Sequence, residues 1–392
     1  MISALLRILT LCGLVLLASC GDRGRDFGAP VERQQRPVEL VMLDTGLPDP
    51  MVLAADQVLR RGNGEEPDTL DPHRAVGIPS ANILRDLFEG LTNESPDGKV
   101  IPGAALRWNI SRDARTYTFY LRRDLIWSNG DPLTAEDFVF SLRRAANPET
   151  ASSDSNMLLP IQNAREILAG ELPVEELGIS LLDEFTMQVT LTGPTPYFLG
   201  LLTHPVAYPV NRRNLEEHGE DFSRPGNLVS NGAYVLKSWK PRIEIELEKN
   251  PNFREADRTI IERVFYYPIE DLATEVTAFR SGEIDWTNEV PNNQFKWLQE
   301  NYPNELVVSP WMGSYFLGFN LTQEPFIDNP SLRMALILAI DREIITDKVT
   351  QFGEQPSYAL VPPGIDGYVP FSPEYRDWTQ EESCLLYTSP SP

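Results

Sequence analysis

Apolar residues recur at short periods along most of the chain, and the periods change from segment to segment. In "NILRDLFEGL" (82–91), Ile83, Leu84, Leu87, Phe88 and Leu91 fall at helical spacing and predict a helix. "TYTFYL" (116–121) alternates as a half-buried strand does, and the turn "SNGDP" (128–132) follows. Thr134 then stands as an N-cap with Asp137 three residues on, and Phe138, Leu142 and Ala145 continue that helix's apolar stripe. "FTMQVTL" (185–191) puts Met187, Val189 and Leu191 on one face of a strand. "IEIELE" (243–248) predicts a strand with Ile243, Ile245 and Leu247 inward and three glutamates in water. Gln57 to Arg60 reads as a first strand, stopped by "GNGEEP". From 328 to 349, "DNPSLRMALILAIDREIITDKV" predicts two consecutive helices capped by Asp328 and Asp341. Strands and helices mix without a regular βαβ beat, so the expectation is an α/β chain of several sub-domains joined by discontinuous connections.

The amino terminus follows another pattern. Arg7 precedes a run, Ile8 to Ala18, that is apolar apart from Thr10, Cys12 and Gly13. It is shorter than the roughly 20 apolar residues of a membrane span and reads as a signal peptide. It closes on Leu17, Ala18, Ser19 and Cys20. Small residues before a cysteine suit a narrow peptidase pocket, and a thiol suits a thioether bond to diacylglycerol. Residues 1–19 are therefore expected to be removed and Cys20 to be lipidated, as in the lipobox of bacterial lipoproteins. The alternative is an ordinary signal peptide in which Cys20 is incidental. Residues 20–51 read as the lipidated end and a flexible tether, mixing Gly, Pro, Arg, Gln and Asp without period.

Composition narrows the function. The chain carries 34 Lys and Arg against 57 Asp and Glu, a net charge of −23, with no basic run. Nucleic acid is excluded as a partner, and an anionic membrane would repel this body, so attachment falls to the lipid alone. Only Cys12, Cys20 and Cys384 are cysteines, so no disulfide is expected in the body. His73, His204 and His218 are too scattered for a metal site, and no nucleophile, zinc or phosphate-loop motif is present. No cofactor, metal or catalytic activity is expected. The tryptophans at 108, 127, 239, 286, 297 and 311 are read as core rather than ligand contacts.

Eight blocks in order carry a resemblance. They are "LDPHRAVGIP" (70–79), "RDLFEGL" (85–91), "IWSNGDPLTAEDFVFS" (126–141), "PTPYFLGLLTHPVAYPV" (194–210), "NLVSNGAYVLKSWK" (227–240), "RSGEIDWT" (280–287), "PFIDNPSLRMALILAIDREII" (325–345) and "VPPG" (361–364). Together they resemble the extracytoplasmic oligopeptide-binding proteins of the peptide/nickel ABC-importer family. The resemblance implies a two-lobed periplasmic-binding-protein fold, type II and cluster C-like, with an extra sub-domain. Lobe I would take residues 52–88 and 213–311, small sub-domain II residues 89–212, and lobe III would start at 312. The implied partners are oligopeptides and the permease and ATPase subunits, with the chain expected as a monomer.

Site residues come over from the resemblance one by one. Val76, Gly77 and Ile78 match the segment that pairs with the peptide backbone, with a plain surface turn before Pro79 as the alternative. Trp311 and Phe316 match aromatic positions lining the cleft, or else hinge-region core. Asn288 and Glu289 match polar contacts on lobe I. His204 matches a histidine near the cleft, or else a hydrogen-bonded structural one. The chain departs from the enteric oligopeptide binders at Val76 and Gly318, where those have acidic pocket residues, and at Asp154, where they have a tyrosine. Peptide preference is therefore expected to differ. Cell-wall peptides, signalling peptides or a non-peptide solute are alternatives on the same fold; an extracytoplasmic hydrolase and a purely structural lipoprotein are the rival classes. The end, "CLLYTSPSP" (384–392), has no cap and no period. Residues 383–392 are read as a non-native tail and 312–382 as a truncated lobe III, so the 392-residue chain is expected to bind peptides weakly.

Overall fold

The computed structural model describes residues 53–309, 313–363, 365 and 368–370, all within the unit Leu40–Pro392. The expected signal peptide, Cys20, the whole tether to 51, Trp311 and the tail from 383 lie outside the described residues.

Strand β1 (Val58–Gly62) and helix α1 (Gly77–Leu87) come first. A two-stranded ribbon of β2 (Thr92–Glu94) and β3 (Val100–Pro102) leads to β4 (Ala105–Ile110) and β5 (Thr116–Leu121). Helix α2 (Ala135–Ala146) follows, then β6 (Ile179–Asp183) and β7 (Thr186–Thr190). The chain returns through β8 (Tyr234–Lys240), β9 (Glu244–Lys249) and β10 (Arg263–Tyr267) to helices α3 (Leu272–Ser281) and α4 (Asn292–Asn301). Two four-stranded sheets result. One is antiparallel in the order β4-β5-β7-β6; the other runs β1-β10-β9-β8, with β1 parallel to β10. The first strand among the described residues thus completes a sheet whose other members lie past residue 233.

The alternation read from the sequence decides which faces are buried. Tyr117, Phe119 and Leu121 of β5 meet Met187 and Val189 of β7, and Phe138, Leu142 and Ala145 of α2 belong to the same core. Each such large apolar side chain contributes about 1.5–3 kcal/mol when fully buried. Ile245 and Leu247 are buried, but Ile243 is 62% exposed because it sits in the turn before β9 and not in the strand. Helix α1 starts at Gly77 and ends at Leu87, before Phe88 and Leu91. Those two are buried from extended backbone: Gly232 N–H donates to Leu87 C=O, and Asn231 accepts from Glu89 N–H, which draws the chain out of the helix.

Residues 313–370 differ in kind. Their longest helix, α5 (Pro330–Ala339), is capped by Asn329, whose side chain accepts from Leu332 N–H, and not by Asp328. The side chain must reach back over three residues, and Asn329 is one position nearer. Asp341 does cap the next turn, accepting from Ile344 N–H. No side chain described between 313 and 370 is buried.

Candidate functional site

Helix α1 has two unlike faces. Ser80, Ile83, Leu84 and Leu87 are buried against the core, while Ile78, Asn82 and Arg85 recur at i, i+4 and i+7 along the opposite side, with Ile78 and Arg85 exposed. From Ile78 to Arg85 that side runs about 10 Å, at 1.5 Å per residue. An extended chain of roughly three residues covers the same length.

The start of α1 has an open backbone. Val76 is extended at φ −125° and Gly77 turns to φ +82°, the left-handed region that favours glycine. Asp68 anchors the turn, its Oδ1 accepting from Val76 N–H at 3.3 Å and from Ser80 Oγ at 2.6 Å. Among the described residues, nothing hydrogen-bonds the N–H of Gly77 or Ile78, while the C=O of Val76, the N-cap, is taken up by the first turn of α1. The flanking side chains stand in solvent, Val76 53% and Ile78 45% exposed. A Cβ on Gly77 would meet only Pro79, at 3.6 Å, so the space in front of it is open. Two successive N–H groups left over at a helix start are donors that the carbonyls of a neighbouring chain can accept from.

Asn288 lies beside this start. The segment after α3 runs along β1, with Asp285 and Trp286 N–H donating to Arg60 C=O and Gly62 N–H donating to Trp286 C=O. Asn288 then reaches α1: Asn82 Nδ2 lies 3.4 Å from its Oδ1 and 3.1 Å from Asn63 Oδ1, while Asn63 Nδ2 donates to Pro79 C=O at 3.0 Å. So the structure brings Val76, Gly77, Ile78 and Asn288 into one neighbourhood through Asn63 and Asn82. Glu289 is exposed next to it. Trp286, read as core, is instead 55% exposed and stacks on the Arg61 guanidinium at 5.3 Å.

His204 lies toward the other end of α1, just before the turn Pro205–Ala207 that packs on this helix. Its Nδ1 accepts from Val206 N–H at 3.3 Å, which leaves the proton of the neutral ring on Nε2. Nε2 faces Asp154 Oδ2 at 3.9 Å. Burial holds the imidazole below its ordinary pKa and Arg85 adds to this, with Asp154 opposing. His204 is therefore both a cap and a partly exposed group near Asp154 and Arg85. Phe316 is 66% exposed.

Sequence reasoning missed the supports. Arg144 of α2 grips Asp71 with two bonds, at 2.9 and 2.6 Å, and reaches His73 Nδ1 at 2.8 Å. His73 Nε2 donates to Tyr208 C=O at 3.0 Å. Burial, with Arg144 beside it, pushes the His73 pKa down to about 4, so the ring is neutral and accepts from the arginine. This knot fixes the loop that leads into Val76. Arg254 and Glu89 make a second buried pair at 2.8 Å. The polar side of α1 was readable as the complement of its apolar stripe; the partners of Arg144 and Arg254, far away in sequence, carry no local signal. Among the described residues no cluster of three or more His, Cys, Asp or Glu is placed to hold a metal, and no helix is long and apolar enough to cross a membrane.

Comparison with known proteins places this geometry. The model of the bacterial extracellular solute-binding proteins, family 5 Middle, matches residues 99–383. The periplasmic oligopeptide-binding protein OppA of Escherichia coli (strain K12) is 42% identical over 345 residues, 87% of this chain and 63% of that protein. The solved E. coli murein tripeptide binding protein MppA superposes with a TM-score of 0.82 at 34% identity, over 86% of this chain and 66% of its own. Haemophilus influenzae OppA in complex with RPPGFSPFR superposes with a TM-score of 0.80 at 36% identity, over 85% of this chain and 66% of its own. The chain thus spans about 63% of the length of the curated relative it matches. With the family model covering most of the chain and the fold superposing on both structures, the chain belongs to the bacterial extracellular solute-binding proteins of family 5.

Proposed function

We propose that this chain is the solute-binding component of an oligopeptide ABC importer, anchored outside the cytoplasm through lipidated Cys20, and that it holds an extended peptide along the polar side of α1. The open backbone N–H groups of Gly77 and Ile78 carry this reading. Backbone carbonyls of the ligand would accept from Gly77 and Ile78 N–H, contacts that every peptide can offer. Asn82, Asn288 and Glu289 flank the ligand; Arg85, Asp154 and His204 meet its far end. Trp311 and Phe316 are carried in the proposal as aromatic positions of the cleft, on the resemblance alone. The relatives' names, a periplasmic oligopeptide-binding protein and a complex with RPPGFSPFR, support the compartment and the ligand class. No bond is made or broken in this role.

The lobe boundaries stand as part of the proposal: lobe I in residues 52–88 and 213–311, sub-domain II in 89–212, lobe III from 312. Their support is that β1 shares its sheet with β8–β10 while β4–β7 form another. A ligand drives lobe closure only through its preference for the closed form, which the permease and ATPase partners would then receive. A cell-wall peptide is the second reading, favoured by the likeness to a murein tripeptide binding protein and by the three-residue length of the α1 strip.

Calorimetric titration with RPPGFSPFR and with a murein tripeptide tests both readings. Gly77→Trp, which puts a ring into the open space in front of the loop, should abolish the binding that the wild type shows while the far-UV spectrum is retained. Unchanged affinity in that variant means the loop does not pair with ligand. Separately, Cys20→Ser should move the protein from the membrane to the soluble fraction and abolish labelling by a fatty acid; an unlabelled wild type sinks the anchor.

A further inference from the structure

Glu275 is the one fully buried carboxylate on α3, and its surroundings are specific. Its Oε1 accepts from Asn288 N–H at 2.9 Å, while Oε2 has no hydrogen-bond partner among the described residues. The carboxylate lies flat on the backbone of Gly62, the last residue of β1: a Cβ there would fall 1.5 Å from Oε1. Up to Trp286 the segment takes its backbone hydrogen bonds from β1. β1 ends at Gly62, and at Asn288 the acceptor is the side chain of Glu275 instead of a strand carbonyl.

We infer that Glu275 is a positioning residue that stands in for the missing strand partner and holds Asn288 and Glu289 against the start of α1. The inference rests on the proposed peptide role for its effect on ligand, but its structural half does not. A buried carboxylate without an ion pair is costly to keep, and a residue that only filled space would be apolar. Arg61 favours the charged carboxylate, yet it stacks between Tyr266 and Trp286 at 5.0 and 5.3 Å and makes no ion pair with Glu275 among the described residues. Gly62 explains itself in the same way, since any side chain there would evict the carboxylate. Oε1 carries the hydrogen bond to Asn288 and the N–H of Glu289 also favours the carboxylate, so the requirement is for an acceptor facing this segment.

Three variants of the full chain decide this. Glu275→Ala should speed amide exchange in the 286–290 peptide about tenfold, the worth of one lost hydrogen bond, while β9 and β10 exchange as in the wild type. Affinity for a defined tripeptide, such as trialanine, should fall by about the same factor. Glu275→Gln keeps an acceptor and should stay within about twofold of wild type in both readouts. Should Glu275→Ala fail to fold, Glu275→Asp retracts the oxygens by one methylene and should show the same local pattern in milder form. Unchanged exchange in Glu275→Ala or Glu275→Asp, or a Gln variant as impaired as the Ala variant, overturns the inference. If the exchange changes appear but wild type binds no peptide, the ligand reading fails and the positioning role stands.

Discussion

His73 shows what one buried side chain does to stability. Its ring is neutral in the fold, held by Arg144 on one nitrogen and by Tyr208 C=O on the other. The unfolded chain takes up a proton near pH 6.5 and the folded chain only near 4. The folded-state pKa is depressed, so the contribution is complete above 6.5 and is lost as pH falls through the window down to about 4. At 1.36 kcal/mol per unit this amounts to about 3 kcal/mol. Asp71 titrates below that window: burial pushes it up, but the Arg144 hydrogen bonds outweigh this and hold it under the ordinary carboxylate range. Urea denaturation at pH 7, 5.5 and 4.5 should show stability falling steadily, and His73→Gln should flatten the fall. A wild-type profile level from 7 to 4.5 would contradict the buried neutral ring.

At the scale of an element, α2 was legible at its start, where Thr134 and Asp137 form the capping box that their spacing predicts. The spacing Thr134 to Asp137 was visible as a cap. In the fold the Asp137 carboxylate accepts from Thr134 N–H at 2.8 Å and from its hydroxyl at 3.3 Å. Burial raises the Asp137 pKa against these bonds, because the group faces inward beside Trp127. Asp137→Ala should therefore cost about 1–2 kcal/mol, the upper part of the range for a cap. Thr134→Ala, which keeps the backbone donor, should cost less; a thermal melt that orders the two variants the other way would reject this account. Period and turn residues revealed β5, β7 and the buried side of α1, since those depend on neighbours in sequence. They misplaced Ile243 and the end of α1, since those are set by the turn before β9 and by Gly232 and Asn231. Val76, Gly77 and Ile78 were found by resemblance, and Glu275 was not found at all: nothing near it in sequence announces that its partner is Asn288.

The whole molecule is uneven in packing. Residues from Leu70 to Tyr266 supply the main hydrophobic cluster, whereas no described side chain between 313 and 370 is buried, and Tyr315, Leu317 and Val369 are largely in solvent. Segments with few buried contacts open at little free-energy cost. Brief trypsin treatment should therefore cut first at Arg333, Arg342 and Lys348 and leave a resistant piece containing β1 to α3. Early cleavage at Arg107 or Arg263, within strands, would show that the main cluster is not the stable part.

One consequence of the parallel pair β1 and β10 concerns time. β4–β7 and α2 come from one continuous stretch and can assemble as soon as it exists. β1 is made first and waits for Arg263–Tyr267 before it has a neighbour. Closing so long a loop is slow, and contacts between distant residues form late. Asn63, at the end of β1, and Asn288 cannot meet until then. During synthesis the polypeptide therefore carries β1 without its neighbour, and the polar neighbourhood of Asn63, Asn82 and Asn288 forms only after residue 288 has been made.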